Sequence, residues 1–524
     1  MRRLRLVLIL MGCPAASAGA QLAVELLLRG GQVIDGTGSA ARIADVGVRG
    51  DRIVFVGDAA RRGVQAQRTV DASGYVVAPG FIDPHTHTYG DLLMGRREER
   101  QNAAYLLQGV TTVVNGNDGG GPTDIAAQLA TLTRQGIGTN TALYVGFGTV
   151  RRRILGASSA APTGEQLAQM RALVDSGMRA GALGLSTGLY YAPQSYAQTD
   201  EVIALARVAA AHGGVYDSHL RDESSYTIGV VGAVREAIRI GQAAGLPVHI
   251  AHLKALGVDV WGRSDSIIAV ITAARAAGQR VTADQYPYLA SGTGVGASLL
   301  PRWAEAGGRD SLAARAADPA TRERLLREMR ENLRRRNGAA ALLITEAGRP
   351  ELNGKTLAQI AEARGLEPVV AGLDIILSGD ASVASFNMNE RDVVAIMQQP
   401  FVFTGSDGSD GHPRKYGTYA LALREYVLKQ QVLRLEQFVQ RSSAAVAVAL
   451  GIAGRGRIAE GLYADLVMFK PADVRDNATY AAPTALASGM QLVLVNGQIA
   501  VENGRVTDVL AGRALTRAGG SSAP

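Results

Sequence analysis

The chain has 524 residues, 47% of them hydrophobic, so it is long enough for a barrel-sized domain with accessory parts and apolar enough to bury a large core. A formal charge of +7, dispersed along the chain, excludes an electrostatic case for nucleic acid as a partner, and a single cysteine, Cys13, excludes a disulfide framework. Aromatic residues make up only 5% and glycines number 63, which predicts a core of Ala, Val, Leu and Ile joined by many tight turns.

Residues 1–20 read as a secretory signal peptide. Arg2, Arg3 and Arg5 form a basic start, residues 6–11 a short apolar run, and Ala18-Gly19-Ala20 a small-residue cleavage site. A rival reading takes Leu10-Met11-Gly12-Cys13 as a lipobox, which would put a lipid anchor on Cys13. Both predict a periplasmic or secreted protein. Cleavage after Ala20 removes three arginines, leaving +4, and leaves no thiolate ligand or cysteine nucleophile. No other apolar run approaches the roughly 18 residues of a membrane span.

Residues 25–77 alternate apolar and polar positions between glycine-rich turns, the texture of short antiparallel strands. Residues 461–469 and 492–499 have the same texture at the far end of the chain. The two ends therefore predict one discontinuous β-sandwich domain, residues 21–79 and 436–515. Between them, apolar strand candidates alternate with amphipathic helical stretches. After a first strand in Val76-Val77-Ala78-Pro79-Gly80-Phe81-Ile82, strands are expected at 110–114, 141–145, 184–186, 214–219, 248–252, 280–284 and 401–405. Eight strands in strand–helix alternation predict an α/β fold, a (β/α)8 TIM-like barrel over residues 80–435. An open doubly wound sheet is the competing arrangement, but it would carry a Gly-rich first turn and none is placed for it. Residues 300–380, charged and helical with Arg334-Arg335-Arg336, read as an insertion, either a lid over the barrel mouth or a solvated subdomain.

The chemistry-bearing residues fall at the predicted C-terminal ends of strands, where barrel enzymes keep their sites. His85 and His87 follow the first strand, spaced to share one face, and by themselves are either a metal-binding pair or an incidental one. His219 and His252 end two later strands, Asp407 follows the last, and His412 lies just beyond. Four histidines and an aspartate from four strands form the inventory of a metal site.

Pro79-Gly80-Phe81-Ile82-Asp83-x-His-x-His, Gly405-Ser406-Asp407 and Gly461-x-x-Ala464-Asp465-Leu466-Val467 resemble the amidohydrolase superfamily of metal-dependent hydrolases. Gly109-Val110-Thr111-Thr112-Val113-Val114, Ser218-His219-Leu220-Arg221-Asp222-Glu223, Ala251-His252-Leu253-Lys254, Asp284-x-Tyr286-Pro287-Tyr288 and His412-Pro413-Arg414 are similar, in this order, to motifs of its D-aminoacylase (N-acyl-D-amino-acid deacylase) group. The resemblance covers nearly the whole chain after the leader and implies a zinc enzyme, with one or two ions, that hydrolyses an N-acyl-D-amino acid. It implies that His219 and His252 hold one zinc with Asp118, and His85 and His87 a second with Asp407, which also acts as general base. One position departs: where the group has Gly-Asn-Cys-Gly with a zinc-binding cysteine, this chain has Gly116-Asn117-Asp118-Gly119, so Asp118 is either a carboxylate ligand in place of the thiolate or a turn residue. Arg414, Tyr286 and Tyr191 match residues that take the substrate carboxylate, with Lys254 and Ser291 as further contacts; the plain reading of Arg414 is a surface ion pair. His249 and His212 read as structural, and Arg151 is given no role. The competing functions are a related amidohydrolase acting on a dipeptide, cyclic amide or other N-acyl compound, and a metal-poor barrel that binds without turnover, for which the missing cysteine is the argument.

Overall fold

The structure is a computed structural model that describes residues 22–517; the leader, including Cys13, lies outside them. Strands from both ends of the chain form one continuous nine-stranded sheet. Ala23–Val33 pairs antiparallel with Arg42–Arg49, which continues to Arg52–Gly57, and parallel with Gln65–Asp71 and Val76–Pro79. Leu466–Phe469 runs antiparallel to Val76–Pro79, with Leu466 opposite Pro79, and leads on to Met490–Val495. The sheet closes on itself where the Ile53 amide donates to the Leu462 carbonyl and the Ala464 amide to that of Asp51. The period of two in these strands has a direct consequence. Leu466, Met468, Leu492 and Leu494 share a core with Leu26, Val46 and Val77, while the alternate residues Val467, Phe469, Val493 and Val495 enter the core of the barrel.

The apolar run expected as a single first strand is two. Val76–Pro79 belongs to the nine-stranded sheet, and Phe81–Asp83 starts the barrel as β1. The chain changes sheets at Gly80, where a Cβ would stand 2.2 Å from the Thr111 hydroxyl oxygen, so only glycine allows the crossing. The barrel continues through β2 (Val110–Asn115), β3 (Asn140–Leu143, resumed at Val145–Gly146), β4 (Gly184–Gly188), β5 (Val215–His219), β6 (Val248–Ile250), β7 (Val281–Gln285) and β8 (Val402–Thr404). Each pairs in parallel with the next or, at β3, through the resumed segment. The ends of the row meet at the C-terminal rim. Thr86 bridges Gly408 in parallel, the Asp407 amide donates to the His85 carbonyl at 2.9 Å, and the Tyr419 hydroxyl lies 3.2 and 3.0 Å from the carbonyls of Ile82 and Thr404.

Helices fill the connections as the 3.6-residue pattern requires. Gly164–Arg179 starts at a capping box in which Thr163 and Gln166 exchange side-chain and backbone bonds, and buries Met170, Val174 and Met178. Helices Leu435–Arg441 and Ala444–Leu450 contact β8 and β1, and the Phe438 ring meets Phe81 edge-on at 5.4 Å. A domain division at residue 436 therefore falls two helices too early. The insertion also differs from expectation. It begins at Ala290–Gly294 and ends at Ala381–Phe386, strands that pair in a three-stranded antiparallel sheet with Leu342–Ala347, and it has its own core around Leu325, Ile344, Leu357 and Leu373. The charge of residues 309–335 conceals these strands in the sequence, and two of them, ASGTG and ASVASF, are built largely from small residues with weak strand preference.

Candidate metal centre

At the C-terminal rim the strand ends bring six side chains to one point. His85 and His87 lie in the turn after β1, Asp118 in the loop after β2, His219 at the last position of β5, His252 just past β6, and Asp407 just past β8. His85 is fully buried, and the His87 side chain is 33% exposed. Asp118, His252 and Asp407 hold φ of 56°, 32° and 47°. Left-handed backbone in residues with a Cβ costs on the order of 1–3 kcal/mol each, and here it coincides with side chains turned into the cluster.

The spacing of donor atoms is informative. Asp118 Oδ1 lies 3.4 Å from His85 Nε2, 3.5 Å from His219 Nδ1 and 3.5 Å from His252 Nε2. Asp118 Oδ2 faces His87 Nε2 at 3.4 Å, and Asp407 Oδ1 stands 3.5 Å from His85 Nε2 and 3.0 Å from His87 Nε2. Ligands bound tetrahedrally at about 2.0–2.1 Å are separated from each other by about 3.3–3.4 Å. Most of these separations are therefore too long for good hydrogen bonds and right for two ligands of one ion. His85 Nε2 and Asp118 Oδ1 are buried without a hydrogen-bond partner, which a cation between them would remedy.

The electrostatics agree. Burial opposes charge on Asp118 and Asp407, yet both carboxyls are held well below the usual range, Asp118 by His85 and His219 and Asp407 by Arg414 and His252. Burial likewise opposes protonation of His87 and His252, but the surrounding carboxylates raise them to about 9 and about 10. The cluster thus draws protons into a site rich in anionic donors, and a divalent metal would displace them. The residues fit such an ion. Donor atoms of His85, Asp118, His252 and Asp407 lie close enough together to share one ion, as do those of His219, Glu223 and His252; Asp118 Oδ2 reaches on to His87, and His219 Nδ1 and His252 Nε2 stand 2.8 Å apart.

A family profile for amidohydrolases matches residues 68–501. The chain belongs to the amidohydrolase family. A D-aminoacylase from Alcaligenes xylosoxydans xylosoxydans is 36% identical over 94% of this chain and 98% of its own length. A solved D-aminoacylase, described for its binuclear metal center with one-metal activation and second-metal attenuation, is 35% identical with a TM-score of 0.81, covering 94% of this chain and all of that one. An N-acyl-D-glutamate deacylase from Bordetella bronchiseptica, solved with zinc and a phosphonate mimic of the tetrahedral intermediate, is 33% identical with a TM-score of 0.79 over the same shares.

In this amidohydrolase the rim cluster opens into a cleft of about 290 Å³ walled on the far side by the insertion. Tyr191, Lys254, Tyr286, Ser291 and Arg414 all line it. Arg414 is buried, and its Nη1 lies 2.7 Å from Asp407 Oδ2, so its partner is the rim aspartate and not a surface acid. The Tyr286 hydroxyl is buried without a partner, and its ring lies 5.0 Å from the Arg414 guanidinium and 5.7 Å from Lys254 Nζ. Tyr191 packs its ring 4.8 Å from that of His219, and Ser291 accepts from Asn387 at 3.0 Å. Burial keeps the hydroxyls of Tyr191 and Tyr286 far from ionisation, so both are neutral donors.

His412, counted with the rim histidines in the sequence, is not in the cluster. Its ring lies 3.1 Å from the Ala290 carbonyl and accepts from the Arg414 amide. His249 pairs with Asp284 at 2.9 Å and His212 with Asp175 at 2.7 Å, both structural contacts. Arg151 is buried against Glu201. Two residues gain roles that sequence reasoning missed. Glu223 Oε1 accepts from Lys254 at 2.6 Å and stands 3.1 Å from His252 Nδ1. Asp284 takes the His252 amide at 3.1 Å, fixing the strained turn. The available signal was Lys254 itself, since a lysine destined for burial beside His252 requires a carboxylate.

Proposed function

We propose that this protein hydrolyses the amide bond of N-acyl-D-amino acids, using one or two zinc ions, and releases a carboxylate and a free D-amino acid. The observation that carries the reading is the set of separations of 3.4–3.5 Å converging on Asp118, in a chain matched along nearly its whole length by deacylases of that class. Zinc in such a cluster acidifies water and polarises a carbonyl. The chain's own residues supply the rest. Asp407, ionised and steadied by Arg414, takes the proton of the attacking water; as the C–N bond breaks it returns that proton to the amine nitrogen, so the amine leaves neutral. Glu223 holds His252 and Lys254 in place. Lys254, Arg414, Ser291 and the free hydroxyl of Tyr286 gather where the amino acid's carboxylate would sit.

The reading includes export. Its support is the order of basic start, apolar run and small-residue site in residues 1–20, and a ligand set with no oxidisable thiolate. Among the described residues no helix is long and apolar enough to cross a membrane. Sequencing the mature N-terminus separates cleavage before Gln21 from lipidation at Cys13.

The test is a panel of N-acetyl D- and L-amino acids with the zinc-loaded protein and Asp407→Asn as control. D substrates should be hydrolysed and their L counterparts spared. Turnover of hydantoins or dipeptides alone, or no turnover of any N-acyl-D-amino acid, overturns the reading.

A further inference from the structure

Each cation around the cleft has an acid, with one exception. Lys254 has Glu223 at 2.6 Å, Arg414 has Asp407 at 2.7 Å, Arg302 has Glu305 at 2.6 Å, and Arg334 and Arg335 reach Glu331 at 2.8 and 3.4 Å. Arg336 lines the same cleft, is 2% exposed, and has no carboxylate within ion-pair distance among the described residues. Its Nη2 donates to the Tyr190 hydroxyl at 3.2 Å, and its Nε and Nη1 are buried without partners. Its guanidinium also lies 5.9 Å from the Tyr226 ring. A cation is favoured at the end of helix Pro319–Arg335, but Arg334 and Arg335 already supply that charge from the last turn. The helix end therefore does not explain why a third arginine is buried against the cleft. An uncompensated buried charge is costly, and a guanidinium whose free Nε or Nη1 can act together with the second N–H of Nη2 presents an edge that matches a carboxylate.

Position fixes what that carboxylate belongs to. Tyr190 spans from the metal ligands to Arg336: its ring lies 5.9 Å from that of His219, and its hydroxyl, held by donation to the Ala297 carbonyl at 2.7 Å, takes the Arg336 bond. Arg336 is thus linked to the reacting centre through Tyr190, while Lys254 and Arg414 are tied to it through Glu223 and Asp407. We propose that Arg336 is a specificity-determining residue that binds a second carboxylate of the substrate, making this a deacylase of acidic N-acyl-D-amino acids. The proposal rests on the deacylase reading above. The second carboxylate is carried either by the amino acid's side chain or by the acyl chain.

The test compares kcat/KM for N-acetyl-D-glutamate, N-acetyl-D-aspartate, N-succinyl-D-leucine and N-acetyl-D-leucine in the zinc-loaded wild type, Arg336→Met and Arg336→Lys. Wild type should favour diacids over N-acetyl-D-leucine by about 100-fold. In Arg336→Met that ratio should fall to near one, mainly through KM, and Arg336→Lys should recover part of it. Preference for the N-acetyl diacids places the anion on the side chain; preference for N-succinyl-D-leucine places it on the acyl chain. A wild type that favours N-acetyl-D-leucine, or a ratio unmoved by Arg336→Met in protein with a native melting curve, overturns the proposal while leaving the deacylase reading intact. If no N-acyl-D-amino acid is hydrolysed, the deacylase reading fails. Calorimetry of N-acetyl-D-glutamate then still decides the anion site, which is lost if wild type and Arg336→Met bind it equally.

Discussion

Two buried polar clusters in this protein differ in one respect, completeness. At the N-terminal end of β3, Asp465 accepts from Asn140 at 3.2 Å, from the Asn496 amide at 2.7 Å and from Arg455; Arg455 donates to Asn496 at 2.7 Å, and Asn496 returns a bond to Asn140 at 2.8 Å. Every side chain in that network is satisfied by another, and it ties the terminal sheet to the barrel. At the opposite ends of the strands, His85 Nε2 and Asp118 Oδ1 are buried without a hydrogen bond, and the imidazole nitrogens around Asp118 Oδ1 stand 3.4–3.5 Å from it. Burial of charge does not separate a structural site from a working one; what separates them is whether the protein alone completes the network.

The largest test of this contrast is Asp407→Asn. The amide preserves shape, deprives Arg414 of its anion and removes the proton acceptor, so kcat/KM per folded molecule should fall by about 10⁴-fold, roughly 5.5 kcal/mol, and the melting temperature should drop as well because Arg414 is left buried without its partner. Residual activity within tenfold of wild type would remove Asp407 from the chemistry. The complementary change at the complete network is Arg455→Met, which leaves the Asp465 carboxylate buried without its cation. Urea denaturation should show a loss of about 3–5 kcal/mol, and the folded fraction should keep its turnover. Lost turnover without lost stability would reverse the assignment of the two clusters.

Asp118 is the residue on which the incomplete cluster centres. Asp118→Ala should weaken zinc by at least about 100-fold in competition with a chelating dye, near 2.7 kcal/mol, and Asp118→Cys should restore tight binding. Unchanged affinity in Asp118→Ala would make Asp118 a turn residue, the other reading of its Gly-rich loop. The glycines on either side hold φ of 84° and 71° at Gly116 and Gly119, and they belong to either reading, so the loop composition alone does not decide.

The barrel was legible because its strands are apolar on both faces and end at titratable residues, a pattern carried within each segment. Phe401-Val402-Phe403 before Asp407 is such a case. The sheet change at Gly80 was not legible, because Val76–Pro79 and Phe81–Asp83 are equally apolar and only the approach of Thr111 shows why they part. His412 misled for a related reason. Proximity in sequence to Asp407 does not fix the direction of a ring, and this one turns to the Ala290 carbonyl of the insertion. Arg336 was read as part of a charged run, since an arginine's isolation from acids is a property of the folded neighbours and not of Arg334-Arg335-Arg336.

The smallest expected effect is the most discriminating about Glu223, which belongs to both kinds of network. It completes Lys254 as a structural ion pair would, yet it also stands 3.1 Å from Nδ1 of a metal-facing histidine. Glu223→Gln retains the shape and removes the charge. If Glu223 orients His252, kcat should drop by about tenfold, near 1.4 kcal/mol. If it also competes with substrate for Lys254, KM should fall in the same variant, because the ammonium is then free to pair with the amino acid's carboxylate. A purely structural pair gives a different result, lower stability with kcat and KM unmoved. The opposed movement of the two kinetic constants is therefore the outcome that places Glu223 with the incomplete cluster.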